Sequence, residues 1–228
     1  MKENDVILKR QSTQIFFKNG DTDFFFNWLL GIGEIFGFSH GELYYLAQRL
    51  GNSPKPDDWK NVFLSHVNYL EQEASNSGLS EQTKAQYYLA QTYSLRSAIQ
   101  FTDPFSEEYL PTVRQMEKVF SSAIHSLGAP IEKLTITYQG SYLPGYYLHS
   151  GDNCPTLIMI GGGDTYREDL FYFAGYPGWI RNYNVLMVDL PGQGSNPSRG
   201  LVFDVDASIP ISLCIDWLEN RNPKLNYL

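Results

Sequence analysis

Apolar residues recur at three- and four-residue steps from about residue 21 to residue 128, and the period then shortens. In DFFFNWLLGIGEIF the stripe runs through Phe25, Trp28, Leu29, Ile32, Ile35 and Phe36, and in ELYYLAQRLG through Leu43, Leu46 and Leu50 before Gly51. Spacing of this kind puts the apolar side chains on one face of a helix. A third helix begins near Asp57, after the loop of Pro54 and Pro56, carries Trp59, Phe63, Val67 and Leu70, and stops by Gly78. Ser80 and Glu81 open a fourth with Leu89, Thr92, Leu95 and Ile99. A fifth with Val113, Met116, Phe120, Ala123 and Leu127 closes at Gly128 and Pro130, in the usual order of helix stop signals. No fixed sequence period supports a solenoid.

After Pro130 the period becomes two. LTITY at 134–138 alternates, Gly140 and Ser141 turn the chain, and YLPGYYLH follows, together a predicted antiparallel hairpin. TLIMI at 156–160 and NVLMVDL at 184–190 are continuous apolar runs, which suit parallel strands covered on both faces. A helix is predicted between them, around Tyr166 to Trp179, and a last one near Val205 to Asn220 with Ile209, Leu213, Ile215, Trp217 and Leu218. Strand alternating with helix is the order of an α/β sheet. The expected fold class is therefore α/β: an all-helical segment, residues 1–130, ahead of a sheet domain of about four strands, residues 131–228.

With 228 residues, 43% of them hydrophobic, the chain can bury a sizeable core. Its net charge of -8 and pI near 5.0 argue against nucleic acid or an anionic membrane as partner, since both would repel it. Cys154 and Cys214 match no ligand or redox spacing and read as buried free thiols. The polar start MKENDVILKRQST lacks the apolar core of a secretory signal, and no run approaches 18 uninterrupted apolar residues, so a cytoplasmic protein is expected.

One stretch, GFSHG at 37–41, fits the G-x-S-x-G pattern of serine nucleophiles. That pattern carries mechanism only on a strand-to-helix turn, and here helices are predicted on both sides. Ser39 is instead expected to cap the second helix in a capping box with Glu42. The four histidines, His40, His66, His125 and His149, read as solvated or hydrogen-bonded structure, and neither His149 nor the adjacent Ser150 suggests a triad.

The stronger chemical signal is Gly161-Gly162-Gly163-Asp164, directly after the TLIMI strand, where open α/β sheets place their ligands. Such a turn suits a pyrophosphate or an oxyanion. The dinucleotide fingerprint requires a third glycine where Tyr166 stands, although Asp189 would serve as the ribose acid. Asp189 to Ser195 reads DLPGQGS. Together with IGGGDTYRED it resembles the α/β-hydrolase superfamily. It resembles more closely still the hydrolases with an N-terminal helical cap that include 2,6-dihydroxypseudooxynicotine hydrolase, fungal polyketide-shortening hydrolases and fermentation-respiration-switch-like esterases. GFSHGELYYLAQRL, DDWKNVFLSHVNYLEQEA and KAQYYLAQTYSLRSAIQF are similar to that family's cap helices.

The resemblance implies a serine hydrolase acting on an ester or an activated carbon–carbon bond of a small apolar or aromatic carbonyl compound. The backbone N–H of Gly163 would contribute to the oxyanion hole, Gly161 and Gly162 would shape the turn, and Asp164 would cap the next helix. Asp189 would hold the PGQG loop through backbone bonds, and Phe24, Phe25, Trp28, Tyr44 and Tyr45 would be core first and pocket second. No cofactor or metal is implied, and a homodimer is allowed. In the family the nucleophile, acid and histidine follow later, so the chain is expected to be truncated before the nucleophile elbow and inactive by itself, with TLIMI left as an open edge until a further segment completes the sheet. A rival reading is a non-catalytic protein-binding module built on the helices.

Overall fold

The computed structural model describes residues 14–33, 38–222 and 225. Ile35, Phe36 and Gly37 lie outside them. Five helices come first: α1 (Gly20–Gly33), α2 (His40–Leu50), α3 (Pro56–Ala74), α4 (Glu81–Ala98) and α5 (Tyr109–Leu127). Their ends follow from local chemistry. Ser39 Oγ accepts from the Glu42 N–H at 3.1 Å and Ser80 Oγ from the Thr83 N–H at 3.1 Å, each satisfying a donor that the first helical turn leaves free. The second half of the expected capping box does not form. Glu42 Oε1 instead meets His66 Nε2 at 2.8 Å, because α3 brings a buried imidazole beside it.

The helix α4 lies between α3 and α5, and every residue from Leu89 to Ala98 is buried. Its polar side chains are therefore internally satisfied. Thr92, Ser94 and Ser97 each donate to the carbonyl four residues back, at 2.7 to 2.9 Å. Trp59 Nε1 reaches the Ser97 carbonyl at 2.9 Å, which joins α3 to α4.

The sheet contains β1 (Ile131–Tyr138), β2 (Ser141–Leu148), β3 (Thr156–Ile160) and β4 (Asn184–Val188), in the order β1-β2-β4-β3. β1 and β2 form the predicted hairpin, and Gln139 and Gly140, at φ 46° and 72°, make the tight turn whose twist suits antiparallel strands. β3 and β4 are parallel, joined by α6 (Arg167–Leu170), a π turn (Phe171–Gly175) and α7 (Tyr176–Trp179). Tyr146, Leu148, Val185 and Met187 face the core shared with α1, α3 and α5; Tyr147, Leu186 and Val188 face the opposite core, under Cys214 and Leu218 of α8 (Ser208–Arg221). The alternation is that of a pleated sheet with a layer on each face. Burying a side chain of the size of those on β4 stabilises the fold by roughly 1.5 to 3 kcal/mol.

β3 pairs only with β4 among the described residues. Its other edge is open, and Leu157 and Ile158 are 41% and 37% exposed. Of the two free cysteines, Cys214 is buried, and burial pushes its thiol up to about 11, whereas Cys154 is only half-buried, short of the burial expected. No described helix is long and apolar enough to cross a membrane.

Candidate active site

Gly161 to Asp164 follow β3 directly and meet the DLPGQGS loop, which follows β4. Parallel pairing of β3 with β4 brings both glycine motifs to the same end of the sheet. The turn's geometry requires glycine at one position. A Cβ at Gly161 would lie 2.6 Å from Thr165 Cβ, while a Cβ at Gly163 would stand 3.8 Å from the Phe203 ring, an ordinary contact. The Gly162 N–H donates to Thr165 Oγ1 at 3.1 Å, and the Gly162 carbonyl accepts from the Thr165 N–H at 3.3 Å. Among the described residues nothing accepts from the N–H of Gly163.

Two cavities meet at this glycine. One, of about 260 Å³, is walled by Ile160, Leu190, Pro191, Phe203 and Ile211 together with the three glycines. The other, of about 200 Å³, opens between the turn and the helical half, with Arg96, Tyr109, Tyr166, Gly192, Gly194 and Phe203 around it. Phe203 lines both. A roomier cavity of about 350 Å³ near the end of α5 and the start of β1 contains Phe120, His125 and Lys133 and none of the turn, so volume alone does not identify the site.

Beneath the turn lies a buried charge cluster. Arg167 Nη1 is 2.7 Å from Asp189 Oδ2 and Arg167 Nη2 is 2.6 Å from Glu117 Oε1, and Glu168 Oε1 stands 3.5 Å from Arg167 Nε. Glu168 also accepts from the Tyr146 hydroxyl at 2.6 Å. Burial raises the Glu168 carboxyl and pushes Asp189 up to about 7, against the pull of the Arg167 guanidinium, which favours the charged form of each. A second pair, Arg96 Nε to Asp169 Oδ2 at 3.0 Å, joins α4 to α6. Tyr109 completes the link between helices and loop: its hydroxyl donates to the Gly194 carbonyl at 2.8 Å and lies 2.7 Å from that of Tyr166.

Several sequence expectations need correction. Asp164 does not cap α6. Tyr166 occupies that position, and its N–H is taken by Asp169 Oδ2 at 3.0 Å, while Asp164 points its carboxylate towards Gln100 Nε2, 3.4 Å away. Asp189 holds Arg167 rather than the PGQG backbone, accepting from its N–H at 2.6 Å and from its guanidinium. The loop is held instead by Gln193 and Asn196. At 1% exposure and so engaged, Asp189 is also closed to a ribose. Phe25 and Trp28 stack on each other inside the helical half, Phe24, Tyr44 and Tyr45 are exposed, and none of the five lines either cavity at the turn.

Ser39 remains in the helical half as the cap of α2. His149 and Ser150 follow β2, which runs antiparallel to β4, so they sit at the opposite end of the sheet from the glycine turn. One assembly imitates a catalytic relay: His66 has Ser94 Oγ 2.8 Å from Nδ1 and Glu42 at Nε2. Ser94 is fully buried and donates to the Ala90 carbonyl, so no substrate reaches it. Sequence reasoning did not single out Arg96, Tyr109 or Arg167. A cation within LAQTYSLRSAI, among small and apolar residues with no other charge, was the available signal for Arg96.

No protein-family profile matches the chain. Among curated proteins it is 27% identical over 212 residues to Hydrolyase ccsE of Aspergillus clavatus, covering 83% of this chain and 48% of that protein. It is 26% identical over 188 residues to Alpha/beta hydrolase ucsC of an Acremonium species, covering 72% of this chain and 38% of the relative. The chain thus spans about half, or less, of these relatives' length. Among solved structures, 2,6-dihydroxy-pseudo-oxynicotine hydrolase superposes with a TM-score of 0.66 at 18% identity, over 86% of this chain and 54% of that one. In fold, and in its likeness to curated hydrolases, the chain is α/β-hydrolase-like.

Proposed function

We propose that this chain forms the oxyanion side of a serine-type hydrolase acting on an ester or an activated carbon–carbon bond of a small apolar or aromatic carbonyl compound. The observation that carries the reading is the unpaired Gly163 N–H, at the carboxyl end of β3 and on the wall of two cavities. A serine hydroxyl attacking the carbonyl carbon gives up its proton to a base as the new C–O bond forms. The carbonyl π electrons move onto oxygen, and a preset N–H stabilises that charge. Collapse of the intermediate expels the alkoxide or carbanion, which takes up the proton, and water then releases the acid. In this reading the serine, its base and its acid are supplied by sequence that continues the sheet at the open edge of β3, next to the turn.

The mostly apolar wall of the 260 Å³ cavity suits an apolar acyl group. Gly163→Pro and Gly163→Ala in the full-length gene product provide the test. Proline deletes the N–H, and alanine keeps it with room for its methyl group. Loss of one oxyanion donor lowers kcat roughly 10²- to 10³-fold, so Gly163→Pro should do so while Gly163→Ala stays within a few-fold of the wild type. Absence of labelling by a fluorophosphonate probe in the wild-type gene product would refute the reading and favour the protein-binding module.

A further inference from the structure

The Gly163 N–H and the Gly162 carbonyl belong to one planar peptide unit and point in opposite directions, so whatever fixes the carbonyl aims the N–H. Gln193 fixes it. Its Nε2 donates to the carbonyls of Gly161 and Gly162, both at 2.8 Å, while its Oε1 accepts from the Leu190 N–H at 2.8 Å. The residue is 4% exposed, and partners at both ends of its side-chain amide leave a single orientation. The Gly162 carbonyl has one other donor, the Thr165 N–H, and the peptide unit bearing that N–H is gripped through its own carbonyl. Arg96 Nη2 donates to Asp164 O at 2.7 Å, with its remaining nitrogens taken by Asp169 at 3.0 Å and by Gln100 Oε1 at 2.7 Å. Phe25, Trp28 and Tyr166 surround the guanidinium, at 5.4, 5.5 and 4.5 Å from ring centre to carbon.

Resting on the hydrolytic reading above, we infer that Gln193 is a positioning residue of the reaction, aiming the Gly163 N–H through the Gly162 carbonyl, and that Arg96 transmits the hold of the helical half to the same peptide plane. The oxyanion donor is thereby set by two side chains from outside the turn, one from the loop after β4 and one from α4. Displacing the helical half relaxes the turn and dims the site without removing any reacting group.

Gln193→Glu tests this by exchanging one heavy atom, the amide nitrogen for an oxygen, with almost no change of shape. The new carboxylate keeps an acceptor for the Leu190 N–H, but sets an acceptor against two carbonyl oxygens where a donor stood. Protonating it restores one donor. In the full-length gene product acting on a p-nitrophenyl ester, kcat of the variant should fall roughly 10²-fold at pH 8 with KM changed less than about threefold. The ratio of variant to wild-type kcat should recover as the pH falls and the buried carboxyl protonates. In protein labelled with ¹⁵N-glycine, the Gly163 amide resonance should shift at pH 8 and move back on acidification.

Arg96→Lys keeps a cation near Asp169 but cannot also reach Gln100 and Asp164 O, and it should displace the same resonance with a smaller loss of kcat. It serves as the test if the glutamate variant does not fold. Unchanged kcat ratios and an unmoved Gly163 resonance in the folded variant would overturn the inference. A wild-type product that neither turns over the ester nor labels with fluorophosphonate would sink the hydrolytic reading instead, and the amide spectra would still decide whether the clamp exists.

Discussion

Replacing Arg167 by methionine should be the most damaging single change near the turn, and its cost should depend on pH. The guanidinium faces Asp189 at 2.7 Å, Glu117 at 2.6 Å and Glu168 at 3.5 Å, and its carbon lies 4.9 Å from the centre of the Tyr146 ring. Methionine fills much of the space and supplies no charge, leaving Asp189 and Glu168, each 1% exposed, without their cation. Removing one member of a buried pair costs about 3 to 5 kcal/mol, because the remaining charge has lost its compensation. Against a total stability of about 5 to 15 kcal/mol this is a large share. For a chain of this size it corresponds to a fall in Tm of roughly 6 to 20 °C.

The pH dependence follows from the direction of the shifts. Burial already raises both carboxyls, Asp189 to about 7 from its ordinary 3.8. A group raised in the folded state gives stability that is present at low pH and withdrawn as the pH climbs through the folded value. Without Arg167 both values rise further, so the gap between variant and wild type should be widest near pH 8 and narrow towards pH 5. Urea titrations at pH 5, 6, 7 and 8 measure that gap, and adding Glu168→Gln to the variant should recover part of it at pH 8. A loss below about 1 kcal/mol, or one constant across this range, would refute the argument that these buried carboxylates depend on one cation.

Gly194→Ala should cost about 2 to 4 kcal/mol by urea unfolding, since the residue sits at φ 53° and its new methyl would overlap Asp189 Oδ2; a loss under 1 kcal/mol would show that the loop gives way freely. Tyr109→Phe removes the hydroxyl that donates to Gly194 O and leaves that of Tyr166 without its partner, for an expected loss of about 1 to 3 kcal/mol with an unchanged far-ultraviolet circular dichroism spectrum. Ile158→Lys places a charge on the open β3 edge and should raise the concentration at which the 228-residue chain scatters light. Equal scattering by the two proteins would mean that this edge does not mediate association.

What the sequence disclosed and what it hid divide along the range of the interactions. The runs TLIMI at 156–160 and NVLMVDL at 184–190 each predict a strand, and β3 and β4 lie on them, because a short continuous apolar run is a local signal; that β4 is buried throughout while β3 keeps Leu157 and Ile158 exposed is not. The ends of α2 and α4 were legible in Ser39 and Ser80 because a cap acts within three residues. The errors begin where a side chain had a choice of partners. Glu42 had its own helix's N–H within reach and took His66, 24 positions on, and Asp189 had a glycine-rich loop beside it and took Arg167, 22 positions back. For Asp189, a buried carboxylate left with neutral donors would forgo the stronger charge-assisted bond, so the Arg167 guanidinium outcompetes the neighbouring backbone; in both cases the partner is delivered by tertiary packing, which cannot be read from local spacing. Arg96 and Gln193 are the extreme case. Gln193 looks unremarkable in its segment and Arg96 shows only as a misplaced cation, and each acquires its role only because the parallel pairing of β3 with β4, under a helix more than 60 residues upstream, brings three separate segments to the same turn. The glycines announce where the backbone can open towards a ligand; which way the open N–H points is decided by residues whose positions in the chain carry no mark of it.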